Sequence, residues 1–256
     1  MAKVAPVLGV AEIDRDLAPV LPSGWLALLE GRPGSGLPLF AKQFAQAGIG
    51  HTPVLYYTTY ERTEDVLKVF ADFGWKTDGL SVVNLADEYY ERVLRRDLEV
   101  SKMREQGLTL KDLLDAPASP LHRRTFNLES RLLADLSTIE EPFRLVLDSL
   151  DFFLEVLTPA QVTSVARQVR HLAQQFKGQA LLTLQSDVTE RRTQGLLEDL
   201  ADLIVELKAE PGVDSYDHVF DIRKVRNHPD KTRIGTARAT PRGLELGDSP
   251  SGPRAG

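Results

Sequence analysis

The chain has 256 residues, 42% of them hydrophobic, enough to bury the core of one large α/β domain. Its net charge of -6 argues against a generally basic nucleic-acid binder, and its lack of cysteine excludes disulfides, thiolate catalysis and cysteine-ligated zinc. No apolar run approaches the ~20 residues of a membrane span, and the start carries no long apolar segment, so a soluble, cytoplasmic protein is expected. In chain order, the first strong signal is the apolar run Trp25-Leu26-Ala27-Leu28-Leu29, read as a strand. It leads into Gly31 to Pro38, spelled G-R-P-G-S-G-L-P, and then into a helical pattern over Leu39 to Ala45.

Strand, glycine-rich turn and helix form the context of a phosphate-binding P-loop, G-x-x-x-x-G-K-[ST]. Here Leu37 stands where the lysine belongs and Pro38 where the metal-holding hydroxyl belongs. Gly31, Gly34, Ser35 and Gly36 can still supply backbone amides and a helix amino terminus to an anion. Charge-assisted contacts contribute roughly 1.5–3 kcal/mol each, so losing both side chains should weaken nucleotide binding by on the order of hundreds to thousands of fold. Pro38 in a first helical turn costs little, because that N–H has no partner within the helix.

Further apolar, β-branched stretches follow at 54 to 58, 81 to 85, 144 to 148, 179 to 184 and 203 to 207, separated by helical patterns. Short strands apolar on both sides and alternating with helices indicate a mostly parallel sheet covered on both faces. A polar segment over 87–124 reads as a helical insertion resting on the surface or closing over a site, with a break at Pro117 to Pro120. Leu145-Val146-Leu147-Asp148 has the form of a Walker B strand, expected to stand beside the P-loop. The stretches 216 to 226, 232 to 240 and 243 to 246 are close-set, with turn signals between them, and read as antiparallel strands finishing the sheet. A single domain over 1–247 and a disordered tail over 248–256 are expected. The five histidines show no metal-ligand spacing, so no metal site is assigned.

These motifs in this order, together with the strand Val54 to Thr58 running into Thr59-Tyr60-Glu61 and the late Lys224-Val225-Arg226, resemble the RecA superfamily. Within it the likeness is to KaiC and its archaeal KaiC-like ATPase relatives, across roughly residues 10 to 247. The resemblance implies a RecA-like P-loop fold with a carboxyl-terminal antiparallel extension. Family members carry F-E-E before the helix, whose acids polarise the attacking water; here only the second acid is kept, which makes Glu61 the candidate for that role, with Asp148 as the Walker B acid. Val188-Thr189-Glu190-Arg191 is similar to a V-T-E-R stretch in the loop that faces the centre of family rings. Leu200-Ala201-Asp202-Leu203-Ile204 resembles the H-x-A-D-x-I strand. Phe220 to Arg226 resembles the L-x-V-x-K-M-R strand, which implies that Lys224 and Arg226 reach a neighbouring subunit's nucleotide.

The departures from the family pattern fall on chemistry, whereas the strand pattern and glycine turn are kept. This leads to a first reading: a catalytically degenerate homologue, a pseudo-ATPase acting as a regulatory or interaction module on a protein partner. It would bind ATP and Mg²⁺ weakly or need no cofactor at all, with Glu61 and Asp148 vestigial. Self-association is expected as a ring by resemblance, or as a monomer or dimer if bridging nucleotide is lost. The second reading is a slow residual ATPase with a rearranged phosphate site, in which Lys42 or a neighbour's Lys224 supplies the cation. Lys42 lies about one turn past Pro38, roughly 6 Å along the axis, so a reorganised site would be needed. The third is a DNA-binding recombination accessory protein that uses Arg191 and Arg192.

Overall fold

The computed structural model describes residues 6–109, 112, 127–211 and 216–247. The break expected at Pro117 to Pro120, the rest of the insertion and the tail over 248–256 lie outside the described residues. A nine-stranded sheet runs through the molecule in the order β3-β2-β4-β5-β1-β6-β7-β8-β9. Its strands are β1 (Trp25–Gly31), β2 (Val54–Thr58), β3 (Leu80–Asn84), β4 (Arg144–Asp148), β5 (Gln179–Gln185), β6 (Leu203–Pro211), β7 (Tyr216–Val225), β8 (Arg233–Thr240) and β9 (Gly243–Gly247). From β3 across to β6 every pairing is parallel, and β6 to β9 form an antiparallel extension. The α/β class, the mostly parallel sheet and the antiparallel end are as the strand patterns indicate.

One expectation is corrected. The Walker B strand β4 does not stand beside the P-loop strand β1; β5 lies between them and pairs with both. An apolar strand ending in an acid carries no information about its neighbours, because strand order is set by the helical crossovers.

The helices are α1 (Ala11–Leu17), α2 (Leu37–Gln46), α3 (Thr63–Asp72), α4 (Leu85–Glu105), α5 (Leu128–Leu136), α6 (Leu150–Val156), α7 (Pro159–Phe176) and α8 (Arg191–Leu200). The period of two along β1 sends Trp25, Ala27 and Leu29 into one core layer, and Leu26 and Leu28 into the other. The first layer includes Phe40 and Phe44 of α2, Val66 and Phe70 of α3, and Phe220 and Ile222 of β7. Trp25 meets Phe44 edge to face at 5.9 Å, and each such buried side chain stabilises the fold by about 1.5–3 kcal/mol. The second layer is built from α5, α6 and α7, with Leu132, Phe153, Val165 and Val169 fully buried.

Local chemistry sets the helix starts. Thr158 and Gln161 form a reciprocal capping box at α7. Asn84 and Asn127 accept the amides of Asp87 and Ser130 at α4 and α5. Helix α4 realises the first part of the expected insertion: Leu85 and Ala86 are buried, but from Glu91 to Glu105 no described side chain is. Among the described residues no helix is long and apolar enough to cross a membrane.

Candidate functional site

The glycine turn lies between β1 and α2, at the carboxyl edge of the parallel strands. Gly34 and Gly36 hold left-handed backbone, at φ 85° and 93°, conformations that a side chain would strain. Gly31 is glycine for a different reason: a Cβ there would lie 2.7 Å from the Leu207 carbonyl and 2.5 Å from Ser35 Oγ. The donors that remain for an anion are few. Pro33 and Pro38 have no N–H, and the Ser35 amide donates to the Arg32 carbonyl at 3.0 Å. Leu37, in the lysine position, belongs to the apolar core, and Pro38 occupies the first turn of α2. Ser35 Oγ is buried without a hydrogen-bond partner among the described residues. Arg32 turns outward into an ion pair with Asp187.

Asp148 ends β4 with its carboxylate enclosed by hydroxyls. Tyr56 and Tyr60 donate to Oδ2 at 2.6 and 2.9 Å, and Thr183 of β5 donates to Oδ1 at 2.7 Å. Burial first, then the Asp148 charge, push the fully buried Tyr56 phenol far above the usual tyrosine range, and the bonds to Asp148 fix both tyrosines as donors. The Asp148-Ser149 peptide is cis, and Thr59 ties the turn down by donating its amide to the Asp148 carbonyl and accepting the Ser149 amide. Next along α6, Asp151 accepts the Gln185 amide with both oxygens at 3.2 Å. Burial raises its pKa, and the nearby Asp148 adds to the shift.

Glu61 and Lys42 meet. Lys42 Nζ forms a short ion pair with Glu61 Oε2, also donates to the Pro38 carbonyl at 3.3 Å, and lies 5.8 Å from the centre of the Tyr56 ring. The ammonium therefore sits behind the turn, where Glu61 holds it. Arg32, Pro33, Gly34, Leu37, Pro38, Tyr60, Asp148, Asp151, Thr183 and Gln185 are among the residues lining a cavity of about 270 Å³ in front of the turn.

Other candidates stand elsewhere. Lys224 Nζ donates to the carbonyls of Glu198 and Asp199, and Arg226 to those of Asp199, Leu200 and Ala201, so both cover the carboxyl end of α8 in their own chain. Arg226 also joins Arg170 on the buried Asp202, which accepts the Leu26 amide. Arg191 and Arg192 are exposed in the first turn of α8, beyond a loop in which Val188 is 72% exposed.

Tyr56, Tyr60 and Thr183 were not among the residues singled out in the sequence. A signal existed for Thr183, the polar residue inside the buried run Ala180 to Leu184, since a buried hydroxyl requires a partner. For the tyrosines the signal was their place on the strand and turn leading to Glu61.

Comparison with known proteins bears on the amino-terminal third and on the fold. Residues 8–82, covering β1, the glycine turn, α2, β2 and α3, match the family model described as the KaiC ATPase. That match covers less than a third of the chain, and over the whole chain the likeness to a solved structure is one of fold. A solved KaiC-like protein, PH0186 of the hyperthermophilic archaeon Pyrococcus horikoshii OT3, superposes with a TM-score of 0.64 over 93% of this chain and 96% of that one, at 19% identity. No curated protein matches the sequence. The matched segment contains the glycine turn and Glu61, and Asp148 lies outside it.

Proposed function

We propose that this KaiC-like domain has kept the fold and given up hydrolysis, and that it works as a regulatory or interaction module with weak or no nucleotide binding. The observation that carries the reading is the state of Asp148, whose carboxylate is engaged by the hydroxyls of Tyr56, Tyr60 and Thr183. A Walker B acid orients metal-bound water through that carboxylate; this one is occupied by protein donors. The lining does not fit a magnesium triphosphate in other respects either. Leu37 and Pro38 offer neither the charge nor the hydroxyl, and among the described residues the lining cation is Arg32, which makes an exposed ion pair with Asp187 outside the cavity.

The slow-ATPase reading needs Lys42 to reach the phosphates, but its ammonium is paired with the acid that would polarise water. That single contact withdraws both groups. Lys224 and Arg226 act on their own α8, so a ring bridged by nucleotide lacks its cationic arm in this arrangement. A monomer or dimer with a protein partner follows. The nucleic-acid reading rests on the exposure of Arg191 and Arg192 alone.

Titration of the purified chain with Mg-ATP tests the proposal. Binding in the millimolar range and no turnover above the buffer blank are expected, because lysine and hydroxyl contacts worth roughly 1.5–3 kcal/mol each are missing. Submicromolar affinity with steady turnover overturns it.

A further inference from the structure

We infer that the cavity in front of the glycine turn is a binding site for a small organic monocation, an amine with an apolar body, and that it rejects polyphosphate. The inference rests on the proposed loss of nucleotide chemistry and names what the altered cavity is suited to hold instead. The side chains that line the cavity do not match the P-loop frame that surrounds it.

At about 270 Å³ the space is at the small end of ligand pockets, so the occupant is small. Leu37, Pro38 and Leu184 make its walls apolar where a P-loop presents a lysine and a hydroxyl. Tyr60 contributes a ring that lines the cavity while remaining 53% exposed, and an aromatic face attracts an ammonium group. Asp148, which accepts the Tyr60 hydroxyl, and Asp151 supply carboxylates to the lining, and Arg32 is drawn into an exposed ion pair with Asp187. An entering phosphate would face two carboxylates against a single, solvent-exposed arginine already paired with Asp187, whereas an amine would meet acceptors, a ring and apolar walls. Asp148 already accepts three hydroxyls, so Asp151 is the better counter-charge. Its raised pKa, caused by burial and by Asp148, is what a carboxylate short of a cation displays.

Three probes of one shape and different charge decide the matter: benzylamine, benzyl alcohol and benzoate, titrated by calorimetry into the full chain at neutral pH, with Mg-ATP alongside. Benzylamine should bind about tenfold tighter than benzyl alcohol, with no detectable heat from benzoate. Asp151→Asn, checked for folding by circular dichroism, should bring benzylamine down to the level of the alcohol and leave the alcohol unchanged. If that variant does not fold, Tyr60→Leu on the exposed turn should lower the amine's affinity more than the alcohol's. Benzoate or benzyl alcohol binding as tightly as benzylamine, or no benzylamine binding to the unaltered chain, overturns the inference. The two failures separate: ATP binding with turnover sinks the proposed function, whereas absent amine binding with ATP still rejected sinks only this assignment.

Discussion

Lys42 and Glu61 form one ion pair with unequal surroundings, since 1% of the lysine side chain is exposed and 25% of the glutamate's. The asymmetry gives a test. Removing the carboxylate in Glu61→Gln leaves a buried ammonium without a counter-charge, which should cost roughly 3 kcal/mol or more. Removing the ammonium in Lys42→Met leaves a carboxylate that water can reach, and the loss should be nearer about 1 kcal/mol. Urea denaturation of both variants measures the difference, and equal losses would show that the lysine is not the desolvated partner. Both residues were legible in the sequence, but in separate roles, one as a water-polarising acid and the other as a substitute cation. That they neutralise each other depends on how the β2–α3 turn falls against α2, which no local pattern records.

The P-loop element contains three glycines that look equivalent in the sequence and are not. Gly31 is packed: an added Cβ would meet the Leu207 backbone of β6, which cannot yield without disturbing the sheet. Gly34 is conformational, with φ 85° and nothing within 4 Å of an added Cβ. Gly31→Ala should therefore destabilise the domain by roughly 2 kcal/mol or more through overpacking, and Gly34→Ala by only about 1 kcal/mol through left-handed strain. Thermal or chemical unfolding of the pair checks the order, and a larger loss at Gly34 would contradict it. The strands were readable as elements because each is a short apolar run bounded by turn residues. The first part of the insertion was readable by its helical spacing, although α4 begins at Leu85, two residues before the expected start.

At the scale of the molecule, one buried carboxylate ties distant elements together. Glu30, the residue before the glycine turn, is fully buried on β1; it accepts from Gln194 of α8 and pairs with Arg223 of β7, with Glu198 of α8 and Glu206 of β6 nearby. Burial is the main cause that raises its pKa from 4.5 to about 7, and the two neighbouring acids add to it against Gln194 and Arg223. The folded state then binds the proton more tightly than the unfolded chain. The group's stabilising contribution is present in full below pH 4.5 and is lost as pH rises towards 7. Over that window the unaltered chain should lose on the order of 3 kcal/mol relative to Glu30→Gln. Paired denaturation curves against pH measure this, and parallel curves would refute it. The difference between the chains isolates Glu30, because Asp14 and Asp151, also raised by burial, titrate in both.

Taken alone, the sequence determined what depends on neighbours along the chain: the strands and their apolar faces, the glycine turn leading into a helix, and the identities of Leu37, Pro38, Glu61 and Asp148. Periodicity and turn chemistry are local, so they survive reading in one dimension. Only the tertiary structure decided that β5 separates β4 from β1. It also decided that Asp148 accepts from Tyr56, 92 positions away, and from Thr183, 35 away, and that Lys224 and Arg226 close their own helix. Those contacts join groups far apart in sequence, and burial makes their satisfaction obligatory without specifying the partner. The chemistry of this site is set by such pairings, and they exist only once the sheet has formed.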